Sequence, residues 1–242
     1  MREAGSQRQR LMRDSRKRFG SMRTRPSIPT RSISSGRIRF QSWLAFTRGG
    51  DPDGDCAVEH RAGTIGMTVV GRHDLSIELP QAMNAPRVMQ DIEGDFIAIV
   101  EVDGVGPATG PSTVPTRRPY LGAGFLLWQD EKNYVRLEHA SVDIDGQVFD
   151  YLNFEQRKDG ALSVTYSQFG LKRDALRSRL ERRSGKLYGA ASYDAQQWFG
   201  YPPLDIGMPA KVQLGVAAIS SSSLPFTPEF KGLEVYRRVA AK

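Results

Sequence analysis

The sequence predicts an antiparallel all-β sandwich over residues 41–242, preceded by a basic tail of residues 1–40. Three observations carry that expectation. From Gly49 onward, short apolar or alternating runs recur between Gly, Pro, Asp and Asn turn signals. Only one segment carries even an ambiguous helical spacing. The apolar share of 39%, with 11 Phe, 8 Tyr and 3 Trp, is enough to fill one large sandwich core.

The tail reads differently. It holds 12 Lys/Arg against Glu3 and Asp14, a net of +10 in a chain whose total is +7, so the remaining 202 residues sum to −3. Few apolar residues, Pro26, Pro29 and many Ser leave it too little surface to bury against its conformational entropy, and disorder is expected. Two readings compete for it. One is an arm for nucleic acid or another anionic surface. The other, which the 26 Arg against 8 Lys in the whole chain favour as codon bias, is an over-extended start, with Met22 as the true one. The sequence pI of 9.7 therefore describes the tail, and the folded part is not expected to bind nucleic acid.

The runs follow in order. Thr64–Val70 and Asp74–Leu79 come first, and Gly94-Asp95 opens Phe96–Val102. Gly124–Gln129 and Tyr134–Ala140 flank the polar turn Asp130–Asn133 and form a hairpin. Val148–Gln156 and Ala161–Phe169 flank Arg157–Gly160 and form a second. Leu187–Tyr193, Lys211–Ile219 and Gly232–Arg238 complete the set. Residues 174–183 read equally as a helix capped by Asp174, with Leu176 and Leu180 four apart, or as a strand with those leucines on one face. Gly104–Pro119, with four prolines, is a loop too long for a simple connection.

Several motifs recur together in one known family. They are Asn84-Ala-Pro-Arg87, Gly94-Asp95-Phe96, the run from Gly122 to Asp130 with Asn133–Glu138, Ser192-Tyr-Asp194 with Trp198, and the Val212–Ala218 strand followed by Phe226 and Phe230. In this the chain resembles the concanavalin A-like lectin/glucanase jelly rolls, most closely a branch of unknown function related to the "regulation of enolase" proteins. Similar jelly rolls occur as C-terminal modules of family 43 glycosidases. The resemblance covers residues 50–238 and implies a strand at 174–183 with a turn at Ser184–Lys186. It also implies a ligand face on the concave sheet. The chain departs from it at Asp194-Ala195, where the family turn is Asp-Gly.

Period-2 alternation sends Val135, Leu137, Leu152 and Phe154 to the core, with Leu126 assigned beside them. It sends Tyr134, Arg136, Glu138, Tyr151, Asn153 and Glu155 to the opposite face, an aromatic, amide, guanidinium and carboxylate surface. Trp128 and Trp198 are the aromatic platforms that the resemblance adds. The competing reading is a solvated face with Arg–Glu cross-strand pairs worth about 0.2–1 kcal/mol each. Glu138 and Glu155 are the only carboxylate pair to nominate for glycosidase chemistry. Glu101-Val-Asp103 lacks the third acid of the glucanase strand motif.

Metal and cofactor signals are weak. Asp51-Pro-Asp-Gly-Asp55 has Cys56 and Ala62 where an EF-hand needs Gly and Glu, and reads better as a type I turn than as a calcium loop. His60, His73 and His139 lack an i+4 partner, and with Cys56 alone no zinc motif forms. His139 falls on the core side, where a buried, hydrogen-bonded imidazole is expected. No phosphate loop or dinucleotide fingerprint occurs.

These readings converge on a non-catalytic binding module for a carbohydrate, a related polyol or a protein ligand. The alternatives are a glycan hydrolase built on Glu138 and Glu155, and an interaction domain with no small-molecule site. No metal, no cofactor and no membrane association are expected, and with one cysteine and no apolar leader the expected location is the cytoplasm.

Overall fold

The computed structural model describes residues 38–40, 48–50, 52–76, 83–115 and 117–238. The tail expectation, Met22 and Asp51 fall almost wholly outside those residues. Sixteen strands follow in chain order: β1 (Ile38–Phe40), β2 (Arg48–Gly50), β3 (Ala57–Arg61), β4 (Thr64–Thr68), β5 (Arg87–Glu93), β6 (Phe96–Asp103), β7 (Tyr120–Asp130) and β8 (Asn133–Ile144). Then come β9 (Gln147–Lys158), β10 (Ala161–Phe169), β11 (Leu176–Arg183), β12 (Lys186–Ser192), β13 (Phe199–Gly200), β14 (Leu204–Asp205), β15 (Lys211–Ser220) and β16 (Glu229–Arg238). No helix occurs among the described residues.

Two antiparallel sheets face each other. One runs β13-β12-β11-β6-β16-β4-β3, with β1 on β16 and β14 on β12; the other runs β10-β9-β8-β7-β15-β5-β2. Strands of the second sheet (β5, β7, β15) interleave in sequence with strands of the first (β4, β6, β16). This alternation makes the sandwich a jelly roll.

The core forms where alternation turns one side of each strand inward. β6 alternates between buried and half-buried positions along its length, placing Phe96, Ala98, Val100 and Val102 inside. Across the gap Val135, Leu137, Leu152 and Phe154 project from β8 and β9 into the same cluster. Leu126 does not. It lies on the other side of its sheet, in a second small cluster with Leu75, Met89, Tyr134 and Ile219. β7 alternates out of phase with the assignment, because Leu126 is paired with Arg136 and so faces the same way.

Residues 176–183 are a strand and not a helix. β11 lies between β6 and β12, pairing Leu180 with both Ala98 and Gly189, so ladder bonds on two sides replace the internal bonds of a helix. Its inward Arg182 is accommodated because its guanidinium donates to the carbonyls of Met208 (2.9 Å), Pro209 (2.8 Å) and Ala210 (3.2 Å). The hairpins close with left-handed residue pairs, Asp145-Gly146 (φ 57° and 84°) and Asp159-Gly160 (φ 53° and 82°), matching the twist of the strands they join. Ala195 also takes a left-handed φ of 60°, a conformation that strains a residue with a Cβ.

The proline-rich segment after β6 is tied down. Thr113 N donates to Ser221 O at 2.8 Å, and Ala108 N donates to the buried Ser141 hydroxyl at 3.0 Å.

Candidate functional site

The face of the seven-stranded sheet that points away from the core carries most of the nominated residues. β8 and β9 pair Tyr134 with Arg157, Arg136 with Glu155, Glu138 with Asn153 and Ala140 with Tyr151. Directly opposed residues share a face, so Tyr134, Arg136, Glu138, Tyr151, Asn153 and Glu155 lie on one side of the sheet.

The sequence reading of this surface is not correct about solvent. The side chains of Arg136, Glu138 and Glu155 are only 8%, 2% and 9% exposed. Tyr134 and Asn153 are buried as well. Part of the cover is visible: Leu75 and Ala85 pack onto this side of the sheet with Leu126 and Tyr134, and the Tyr134 hydroxyl donates to Leu75 O. The open, solvated face expected from alternation is replaced by an internal polar layer, since alternation reports which way a residue points and not what lies over it.

Arg136 is the centre of that layer. Its Nη2 lies 2.8 Å from Glu155 Oε1 and its Nη1 3.6 Å from Glu138 Oε1. Arg157 Nε donates to the same Glu155 oxygen at 2.9 Å. Glu138 Oε2 accepts from the Tyr120 hydroxyl at 2.9 Å and from Asn153 Nδ2 at 3.3 Å. Arg136 Nε, though buried, has no hydrogen-bond partner among the described residues.

The two carboxyls are shifted in opposite directions. Burial pushes Glu138 above the usual carboxylate range, with Glu155 adding to the shift and Arg136 opposing it. Burial pushes Glu155 the same way, but Arg136 and Arg157 outweigh it and hold that carboxyl below its ordinary value. A guanidinium shared by two acids, with a second Arg on only one of them, produces this asymmetry.

Beside the ion cluster runs a strip of aromatic rings. Tyr151 stacks on Phe169 at 4.6 Å and 25°, and Tyr120 meets Tyr151 edge-on at 6.5 Å. Phe149 meets Phe169 edge-on at 6.2 Å. Phe169 is 43% exposed, and Thr165, two turns of the pleat away on the same edge strand, is also open. Phe169, Tyr120 and Arg157 were not nominated from sequence. The hairpin register carries the missing signal, since it sets Phe169 opposite Tyr151.

The tryptophans divide. Trp128 belongs to this face, half-buried, stacked on Tyr134 at 5.4 Å with the Arg87 guanidinium 5.0 Å from its ring centre. It is shared between those two neighbours, not presented as a platform. Trp198 is on the approach to β13, at the edge of the other sheet, with its indole N–H donated to Ala195 O at 3.1 Å. The structure does not bring it to the nominated surface. Glu101 and Asp103 lie on β6 in that other sheet as well, paired with Arg177 at 3.1 Å and Lys231 at 2.7 Å.

No family model matches the chain, and no curated protein matches it. Solved structures do. A functionally unknown protein from Saccharomyces cerevisiae is 14% identical with a TM-score of 0.61, over 76% of this chain and 93% of that one. The GH43 protein BlXynB from Bacillus licheniformis is 14% identical with a TM-score of 0.55, over 74% of this chain. A xylan beta-1,4-xylosidase from Bacillus halodurans C-125 is 11% identical with a TM-score of 0.50, over 75% of this chain. The match spans only 34% and 38% of those two bacterial chains. At these identities the likeness is one of fold, and it sets this chain among jelly-roll sandwiches.

Proposed function

We propose that the protein is a non-catalytic module that binds a polyhydroxylated ligand, a carbohydrate or related polyol, on the outer face of the seven-stranded sheet. The observation that carries this reading is the strip Tyr120–Tyr151–Phe169–Phe149, open at Phe169 and contiguous with buried hydrogen-bonding groups. Apolar ring faces beside the exposed Thr165 hydroxyl suit a ligand with C–H faces and hydroxyl edges. In this reading Tyr151, Phe169 and Thr165 make contact, and the covered Arg136, Glu138, Asn153 and Glu155 hold that edge from beneath without reaching the ligand. We further place the chain with the branch related to the "regulation of enolase" proteins, on the ordered motifs between Asn84 and Phe230.

The test is a glycan array on the full-length protein, with xylo-oligosaccharides included because the fold recurs in a xylan beta-1,4-xylosidase. Retention of at least one glycan is expected. Phe169→Ala should abolish it at a stability cost of roughly 1 kcal/mol or less, as for other exposed positions. Arg136→Ala should behave oppositely and cost about 3–5 kcal/mol, because it strands two buried carboxyls. No retained glycan, or a Phe169→Ala variant that binds as the parent does, defeats the reading.

A hydrolase reading has one observation in its favour, the raised Glu138 beside the depressed Glu155. That is the division of labour an acid and a second carboxylate need. It predicts sugar release that Glu138→Gln eliminates while binding survives.

A further inference from the structure

The loop 52–56 and the segment 72–76 meet at one place. There Asp55 Oδ1, Cys56 Sγ and a His73 ring nitrogen all lie within 4.8 Å of one another. His73 Nε2 is 2.8 Å from Asp55 Oδ1, and Cys56 Sγ is 3.9 Å from the same oxygen. We propose that these three side chains form a binding site for a divalent transition metal of the zinc class, with the remaining coordination position open to solvent.

The donor set comes first. Imidazole, thiolate and carboxylate bind zinc at about 2.0–2.3 Å, which in a tetrahedron sets donor atoms roughly 3.2–3.8 Å apart. The observed separations of 2.8 and 3.9 Å lie on either side of that range, and Asp55, at 57% exposure, is the side chain with room to adjust. Sulfur and nitrogen donors favour zinc-class ions over calcium or magnesium, which take oxygen. A calcium loop is therefore the wrong chemistry for this cluster.

Preorganisation comes second. His73 is 1% exposed, and its backbone is locked to β15 by reciprocal bonds with Ser220, each 2.9 Å. Its Nδ1 has no hydrogen-bond partner among the described residues, so Nε2, turned to the rim, is the nitrogen with a neighbour. Asn84 holds the two segments together. Its amide donates to Asp53 Oδ2 at 2.7 Å and to Arg72 O at 3.0 Å, while its oxygen accepts from Asp74 N at 3.0 Å. Asn84 is thus a positioning residue, fixing the loop that carries Asp55 and Cys56 against the segment that carries His73. Burial differs along the trio, from enclosed His73 through half-buried Cys56 to exposed Asp55, which leaves one side of the site facing water.

The full-length protein, stripped with a chelator, should be titrated with cobalt(II) and then with zinc(II). Expected are one cobalt per chain with a thiolate charge-transfer band in the near ultraviolet, loss of that band in Cys56→Ser, and displacement of cobalt by zinc. Zinc affinity should fall about tenfold or more in both Asp55→Asn and Cys56→Ser, as for loss of groups that hold or orient a metal. Both positions lie at the rim, so these variants are expected to fold. His73→Gln, at a buried position, is read only alongside its melting curve. The proposal is overturned if the band is absent, if zinc binds the two rim variants as it binds the parent, or if calcium raises the melting temperature and zinc does not. Any of those results leaves the His73–Asp55 contact as a hydrogen bond that ties a loop.

Discussion

His139 projects from β8 into the sandwich at 1% exposure, on the core side as its position in the alternation requires. The hydrogen bond expected with that burial is absent: neither ring nitrogen has a partner among the described residues. Burial drives its pKa from 6.5 down to about 4; the charged groups around it are Asp150 and Asp103, which oppose the shift, and Arg173, which adds to it. The folded state therefore holds the imidazole neutral while the unfolded chain accepts a proton below pH 6.5. The sign follows: stability falls as pH drops from 6.5 to about 4, then levels off for this group, by a total on the order of 3 kcal/mol. Denaturant melts of the parent and of His139→Leu across that window isolate the contribution. If both lose stability in parallel, the imidazole is not the group responsible.

At the scale of single elements, β7 shows how closely its neighbours approach. A Cβ at Gly124 would lie 2.0 Å from Leu137 O and 2.7 Å from the Glu138 Cα on β8. Backbone cannot yield as a flexible side chain does, so Gly124→Ala forces the two strands apart at the residue that anchors the Tyr120 hydroxyl. A loss of about 2 kcal/mol or more is expected, at the upper end of overpacking effects. Gly66→Ala in β4 is the control, because a Cβ there meets nothing within 4 Å. It should be neutral or stabilising by a few tenths to about 1 kcal/mol, through the unfolded chain. Equal losses in the two variants, measured by denaturant midpoint, contradict this account of the β7–β8 approach.

Across the whole molecule, stability depends on how well the two sheets meet, and Phe154 is one of the large side chains buried between them. Its ring leaves β9 with no exposure and stacks on Tyr201 at 6.0 Å and 13°. It lies beneath Gly189 of β12, where an added Cβ would sit 3.1 Å from the ring. Phe154→Ala empties the space between the sheets and should cost about 3–5 kcal/mol, read from equilibrium denaturation. An effect under about 1 kcal/mol would mean that the sheets close over the gap.

The sequence by itself determined the fold class, the hairpins and the division of β8 and β9 into core and outer faces. Those follow from local rules: turn residues with left-handed φ, and a period of two that ties burial to position. It left residues 174–183 open between helix and strand, because Leu176 and Leu180 satisfy both periods; pairing with β6 and β12 decided it. It misplaced Leu126 and Trp198, since alternation within one run does not set its phase against another run or assign it to a sheet. Only the tertiary structure decided that Arg136, Glu138 and Glu155 lie covered, with the two carboxyls shifted in opposite directions. Only it brought His73 to Asp55 and Cys56. Cover and convergence both come from segments distant in the chain, and no residue type or spacing encodes which loop closes over which face.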